Sequence, residues 1–203
     1  MVEVYKNIFM KKNKEEIKKK IINKARQIFG QYGFRKTTMD EIAQAAKMAK
    51  SSVYYYFSSK EDVFHLVVET EFEIFKKEIT KSIEAVISPQ EKLICYFKTR
   101  MRAFKRLVNF YSTFKDEYLE DYSLIQKIRA SYDRYEIKMI KAILREGVAK
   151  GEFSVKNLRI TAFAIVTAIK GLELPWAMEK DLRKIEKEID NLSNILFYGI
   201  MKR

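Results

Sequence analysis

A chain of 203 residues with 47% hydrophobic side chains but only six Gly and two Pro is suited to long helices around a real core. That composition excludes a disordered polymer and argues against a β-sandwich. Forty Lys and Arg against 27 Asp and Glu leave a net charge of +13, which favours nucleic acid or a membrane surface as partner.

The charge is unevenly placed. Residues 1–65 carry 14 Lys and Arg against 7 Asp and Glu, a surplus of +7 in under a third of the chain. This is the pattern of a basic head on a more neutral body. Residues 1–12 have no clear period and read as an arm without regular structure, with Met10 a second candidate start. Asn13-Lys14-Glu15-Glu16 has the form of a capping box and predicts a helix start. Ile17, Ile21, Ala25, Ile28, Phe29 and Tyr32 then recur at helical spacing as one apolar stripe. Lys14, Lys18, Lys19, Lys20 and Lys24 occupy the other faces, and Gly33 is the natural C-cap.

Thr38-Met39-Asp40-Glu41 is a second capping box. It opens a helix whose inward face is Met39, Ile42, Ala43 and Ala46, with the small Ala43 and Ala46 allowing close helix crossing. After Lys47-Met48-Ala49 comes a short segment, Lys50 to Phe57, in which Val53 and Phe57 face the core. Three consecutive tyrosines cannot share one buried helix face. Hydroxyls and aromatic edges at Ser51, Ser52, Tyr54, Tyr55 and Tyr56, beside lysines, suit phosphate and base-edge contacts. The segment Thr37 to Lys60 therefore reads as a helix-turn-helix on a basic head.

Residues 14–65 resemble the N-terminal domain of TetR-type transcriptional regulators. The resemblance rests on Ala25, Phe29, Gly33, Thr37-Thr38, Ile42-Ala43, Ala46, Val53-Tyr54, Phe57 and Lys60-Glu61-Asp62-Val63. It implies three helices, the third entering the major groove of double-stranded DNA. It also implies phosphate contacts from Thr38, Tyr54, Tyr56 and Lys60, and base reading or approach by Lys50, Ser51, Ser52 and Tyr55. Two positions depart from the family pattern. Lys47 stands where the turn usually has Gly, and a left-handed Lys costs on the order of 1 kcal/mol. Ala49 replaces the usual hydroxyl N-cap, at a cost of about 1 kcal/mol.

From Lys60 to about Val86 the pattern predicts a long amphipathic helix with Phe64, Val68, Phe72, Phe75, Ile79 and Ile83 on one face, a natural lever between head and body. Ser88-Pro89-Gln90-Glu91 is a strong helix start, followed by Leu93, Ile94, Phe97, Met101, Phe104 and Val108. Residues 109–122 read as a short helix or loop. Ser123 opens a helix to about Gly147, Lys150-Gly151-Glu152-Phe153 is a turn, and helical runs cover about 157–178 and 182–201. Gly171 and Pro175 are expected to kink or end the first of these. The fold class is all-α, with about nine helices: an arm over 1–12, a helix-turn-helix domain over 13–65 and a body over 66–203.

The resemblance implies that the body binds a ligand and dimerises. Its aromatic residues concentrate between Tyr96 and Tyr135. Tyr96, Phe97, Met101, Phe104, Phe110, Phe114, Tyr118, Tyr132 and Tyr135, with Phe163, are candidate walls of an apolar pocket for a mainly hydrophobic small molecule. Ordinary core packing is the competing reading. Phe163, Thr167, Gly171, Ile189, Leu192 and Leu196 are candidate interface residues, which the resemblance implies pair with a second subunit in a four-helix bundle. Packing inside one subunit competes with that reading too. Dimerisation also suits the DNA reading, because two recognition helices about 34 Å apart read a palindrome.

Chemistry for catalysis is missing. Cys95 is the one Cys, reads as a core residue and excludes a disulfide framework. His65 is the one His, has no Ser or Asp arrangement beside it, and reads as a partly buried helix residue. No Gly-rich phosphate loop occurs. No apolar run approaches the roughly 18 residues of a membrane span, and the amino-terminal charges follow the short apolar stretch, the wrong order for a signal peptide. The expectation is a cytoplasmic, homodimeric, ligand-released repressor that binds a palindromic operator, with no enzymatic activity, cofactor, metal or membrane partner. The alternative left open is a basic amphipathic protein that docks on a membrane surface or another protein.

Overall fold

The computed structural model describes residues 2–112, 123–179 and 181–200. Among them nine helices occur: α1 Val2–Tyr32, α2 Met39–Ala46, α3 Lys50–Tyr56, α4 Lys60–Glu84, α5 Pro89–Arg106, α6 Val108–Ser112, α7 Ser123–Ala149, α8 Leu158–Met178 and α9 Leu182–Ile200. They fall into two units. The head holds α1, α2, α3, the part of α4 up to Glu71, and α6; the body holds α4 from Phe72, α5 and α7–α9. The division falls inside α4, between Glu71 and Phe72, and α6 belongs to the head although it follows α5.

The head is built on the stripe of α1. Ile21, Ala25 and Phe29 are buried on it, while Tyr32 at its end is exposed. Phe29 meets Phe64 edge-on at 5.0 Å, and Phe34 lies 4.8 Å from the same ring. Burying each such ring contributes roughly 2 kcal/mol. Gly33 ends α1 with φ +80°, and the buried Thr37 hydroxyl donates to the Gly33 carbonyl at 2.8 Å, fixing the connection to α2. The capping box at Asn13 does not open a helix. α1 runs unbroken from Val2, because residues 2–12 contain no Gly or Pro and an interior Asn costs only about 0.7 kcal/mol relative to Ala.

In the body, α7 packs against α8 and α5, and α5 also meets α8 and α9. Phe72, Phe75 and Ile79 from α4, Leu93, Tyr96, Phe97 and Met101 from α5, and Tyr132, Ile140 and Leu144 from α7 are buried. Gly151, at φ +74°, closes α7 as the turn expected there: its N–H donates to Val148 and that of Glu152 to Gly147. Gly171 and Pro175 do not end α8, which continues to Met178. Its last turns are held by tertiary contacts, the buried Trp176 donating through Nε1 to Glu188 of α9 at 2.9 Å. At the start of α5, Pro89 takes its expected place, but the Ser88 side chain makes no cap hydrogen bond. Cys95 is half-buried, not a core residue. His65 is half-buried on α4, 3.7 Å from Glu69.

Candidate nucleic-acid interface

Local chemistry fixes α2 and α3 on the head. Thr38 accepts the N–H of Glu41 on its hydroxyl at 3.3 Å, and the Glu41 carboxylate accepts the Thr38 N–H at 2.8 Å and its hydroxyl at 3.0 Å. This is the complete capping box. Met39, Ile42, Ala43 and Ala46 all point into the core, as their spacing requires. The helix ends in a Schellman motif: the N–H of Lys47 donates to Gln44 at 3.0 Å and that of Met48 to Ala43 at 3.0 Å. Lys47 occupies its left-handed position, φ 54° and ψ 51°. Ala49 is the N-cap of α3 and offers no side-chain acceptor.

Val53 and Phe57 anchor α3 inward. That leaves Ser51 exposed, Ser52 and Tyr56 half-buried, and Tyr54 and Tyr55 exposed at 45% and 72%. The Tyr55 and Tyr56 rings meet edge-on at 5.0 Å. Lys14 of α1 holds its ammonium 5.3 Å from the centroid of the Tyr55 ring. Lys50 is exposed and paired to Asp40 of α2, Nζ to Oδ1 at 2.9 Å; the hydrogen bond and charge of Asp40 push its pKa upward. Both partners are well exposed, so solvent screens the pair and a phosphate can compete for the ammonium. Lys60 points elsewhere. Its ammonium donates to the Phe34 carbonyl at 3.0 Å and lies 4.4 Å from the centroid of the Phe34 ring. It therefore clamps the start of α4 to the α1–α2 connection.

A second cluster occupies the body. The Tyr96 hydroxyl and Arg100 Nε, from α5, donate to Glu136 Oε1 of α7 at 2.5 and 2.7 Å. All three residues are 1% exposed or less. Tyr132, one turn before Glu136, lies 5.2 Å from Phe75 and 5.6 Å from Phe72, and the Arg100 guanidinium stands 5.7 Å from the centroid of its ring.

Two family models match the chain. One, described as bacterial regulatory proteins of the tetR family, covers residues 21–67. The other, the C-terminal region of QacR-like proteins, covers residues 77–202. The chain belongs to the TetR family. It is a DNA-binding transcriptional regulator, and this decides against the open alternative of a membrane-surface or docking protein. Among its relatives is the HTH-type transcriptional regulator QacR of Staphylococcus aureus, 23% identical over 92% of this chain and 99% of that protein. Another is IcaR of the same species, a negative transcriptional regulator of the biofilm operon icaADBC, 30% identical over 62% of this chain and 74% of that protein. A solved transcriptional regulator from Cytophaga hutchinsonii superposes with a TM-score of 0.74 at 28% identity, over 90% of this chain and 97% of that one.

In this TetR-family chain, the residues expected at DNA divide by environment. Ser51, Tyr54 and Tyr55 share the open surface of α3. Thr38 is exposed, but its hydroxyl serves the capping box. Lys50 is tied to Asp40, and Lys60 to backbone carbonyls. Of the expected pocket residues, Tyr96, Phe97, Met101 and Tyr132 are buried, and Tyr135 is half-buried with its ring 6.1 Å from that of Phe72. Phe163 is not among them: it is 58% exposed. The side chains of Phe104 and Phe110, and residues Phe114 and Tyr118, lie outside the described residues. Of the expected interface residues, Phe163, Thr167 and Gly171 are exposed on α8, and Leu192 and Leu196 are half-buried on α9. Ile189 is fully buried within its own chain, because it falls on the inward face of α9 with Ile185.

The sequence reading missed Arg100, Glu136, Arg26, Glu71 and Lys14. A signal existed for the first two. Arg100 stands four residues after Tyr96, and Glu136 four after Tyr132, each on an apolar stripe where a charge has no solvent.

Proposed function

We propose that the head grips duplex DNA through α3 and that a small molecule held by the body releases it. What carries the reading is a helix-turn-helix that is fully capped at Thr38 and presents Ser51, Tyr54 and Tyr55 on its exposed surface. Ser51, Ser52, Tyr55 and Lys50, once exchanged from Asp40, approach base edges; Tyr54, Tyr56 and the exposed Thr38 hold phosphates. Lys60 positions α4, with its remaining ammonium donor available to a phosphate.

Residues 13–65 thus carry DNA binding, and residues 66–203 ligand binding and dimerisation. The ligand is mainly hydrophobic, given the aromatic walls at Tyr96, Phe97, Met101, Tyr132 and Tyr135. The Arg100–Glu136 pair adds one polar anchor among them. A second copy pairs through α8 and α9. In favour of this, Ile160, Phe163, Ala164, Thr167, Ala168 and Gly171 are all exposed at helical spacing on α8, as are Ile195 and Tyr198 on α9. Ligand-induced release needs a differential affinity of only a few kcal/mol between two head spacings. α4, one helix shared by both units, is the natural carrier of that change. Negative regulation follows the role of the relative IcaR. A cytoplasmic location and the absence of enzymatic activity belong to the same proposal. No helix among the described residues is long and apolar enough to cross a membrane.

A mobility-shift assay on the DNA immediately upstream of the gene tests the contacts. Tyr54→Ala and Tyr55→Ala are each expected to weaken binding several-fold or more, on the order of 1 kcal/mol for each hydrogen bond lost. Unchanged binding by both removes α3 as the reading element.

A further inference from the structure

We infer that the amino-terminal half of α1 is a second DNA-contacting element, in which Lys14 and Lys18 hold backbone phosphates beside the groove that α3 enters. The inference rests on the DNA reading above and extends the contact surface beyond the helix-turn-helix.

Three observations carry it. First, α1 is continuous from Val2, whereas the tetR-family match begins only at residue 21. About twelve residues of helix precede Lys14, a length of roughly 18 Å at 1.5 Å per residue. Second, Lys14 marks where this helix passes α3. Its ammonium is 5.3 Å from the centroid of the Tyr55 ring, and Tyr55 is the most exposed aromatic residue of the recognition helix at 72%. A cation at that point sits at the border of the surface proposed to face DNA, within a side chain's reach of the flanking phosphates. Third, the stretch is basic and open. Residues 2–24 carry eight Lys against three Glu; Met10, Lys12, Asn13, Lys14, Lys19 and Lys20 are exposed and Lys18 is half-buried. Lys18 lies one turn after Lys14 on the same face. The pairing with Tyr55 also gives Lys14 a positioning role: it restrains the ring that α3 offers to the bases, through an exposed cation–π contact.

The test uses the full-length protein and a duplex selected from a random-sequence library by that protein. Binding is measured by fluorescence anisotropy from 50 to 200 mM salt for the unmodified protein, Lys14→Gln, Lys18→Gln and Tyr55→Leu. Removing one phosphate-binding lysine from each of two heads makes the slope of log K against log salt shallower by about 1.8. The deficit of Lys14→Gln relative to the unmodified protein then shrinks about twelvefold across that fourfold salt range. Tyr55→Leu, which removes the ring but leaves the lysines, is expected to weaken binding with the slope intact. Lys14→Arg is expected to restore the slope. A Lys14→Gln slope equal to that of the unmodified protein overturns the inference while leaving the α3 reading standing. A protein that enriches no duplex overturns both.

Discussion

The side-chain amide of Asn109 donates to the carboxylate of Glu71 at 2.9 Å, and to the carbonyl of Arg26 at 3.0 Å. Glu71 is 1% exposed and also accepts from Arg26 Nε at 2.9 Å. Three helices are therefore joined at one buried carboxylate: α1 through Arg26, α4 through Glu71 and α6 through Asn109. This junction explains why α6 belongs to the head although the chain has already passed through α5.

Asn109→Ala leaves the Glu71 carboxylate short of a donor. The expected cost is about 1–3 kcal/mol, read as a lower urea midpoint for unfolding. Asn109→Asp is expected to cost more, since it sets a second carboxylate against the first. Stability equal to the parent in both variants contradicts the junction.

Lys47 bears the left-handed conformation that glycine adopts without strain. Lys47→Gly is expected to stabilise the head by a few tenths to about 1 kcal/mol, because the relief of strain exceeds the added freedom of the unfolded chain. Ala49→Ser supplies the missing acceptor at the start of α3 and is expected to add about 1 kcal/mol. Thermal melts of the two variants and the double variant test both effects, which act on opposite sides of one turn.

Gly147 lies directly against the ring of buried Phe153, so a Cβ there has no room. Gly147→Ala is expected to destabilise the body by about 1–3 kcal/mol through overpacking. Recovery of the melting temperature in Gly147→Ala/Phe153→Leu distinguishes this clash from a simple backbone effect.

Glu146 sits between Lys150 and Lys92. The hydrogen bonds from Lys150 and Lys92 lower its pKa below the ordinary carboxylate range. A group whose folded pKa is depressed contributes stability above its unfolded pKa and loses it as pH falls through the folded one. Glu146→Gln is therefore expected to flatten the acid limb of the stability curve below about pH 4.5 and to lower stability slightly at neutral pH. An acid limb identical to that of the parent excludes the linkage.

Phe163, 58% exposed, stands in the middle of the open apolar stripe of α8. Phe163→Glu is expected to shift sedimentation from dimer to monomer and to weaken operator binding at least tenfold, since paired heads bind with an effective concentration that single heads lack. A dimer that persists assigns the interface to another face.

Much of this was legible in the residues. The Thr38 box, the inward Met39-Ile42-Ala43-Ala46 face and the strain at Lys47 are local, set by spacings of three and four residues. They appear in the structure as their chemistry requires. What escaped was non-local. Nothing near Glu71 in sequence announces that Arg26 and Asn109 complete it, and nothing near Lys14 places it beside Tyr55, forty-one positions away. The Asn13 box misled because a capping pattern marks a helix start only where the preceding residues cannot continue the helix. Ile189 misled because small and apolar residues on α9 occupy both its inner and outer faces. Only tertiary packing separates them.

The most direct measurement is sequence selection from random duplex DNA with the unmodified protein and with Tyr55→Ala. The unmodified protein is predicted to enrich an inverted repeat whose half-sites lie about one helical turn, or a whole multiple of it, apart. Tyr55→Ala is predicted to lose base preference at one symmetry-related pair of positions and keep the rest. An unchanged motif in the variant, or no enriched repeat with the unmodified protein, contradicts recognition through the exposed face of α3.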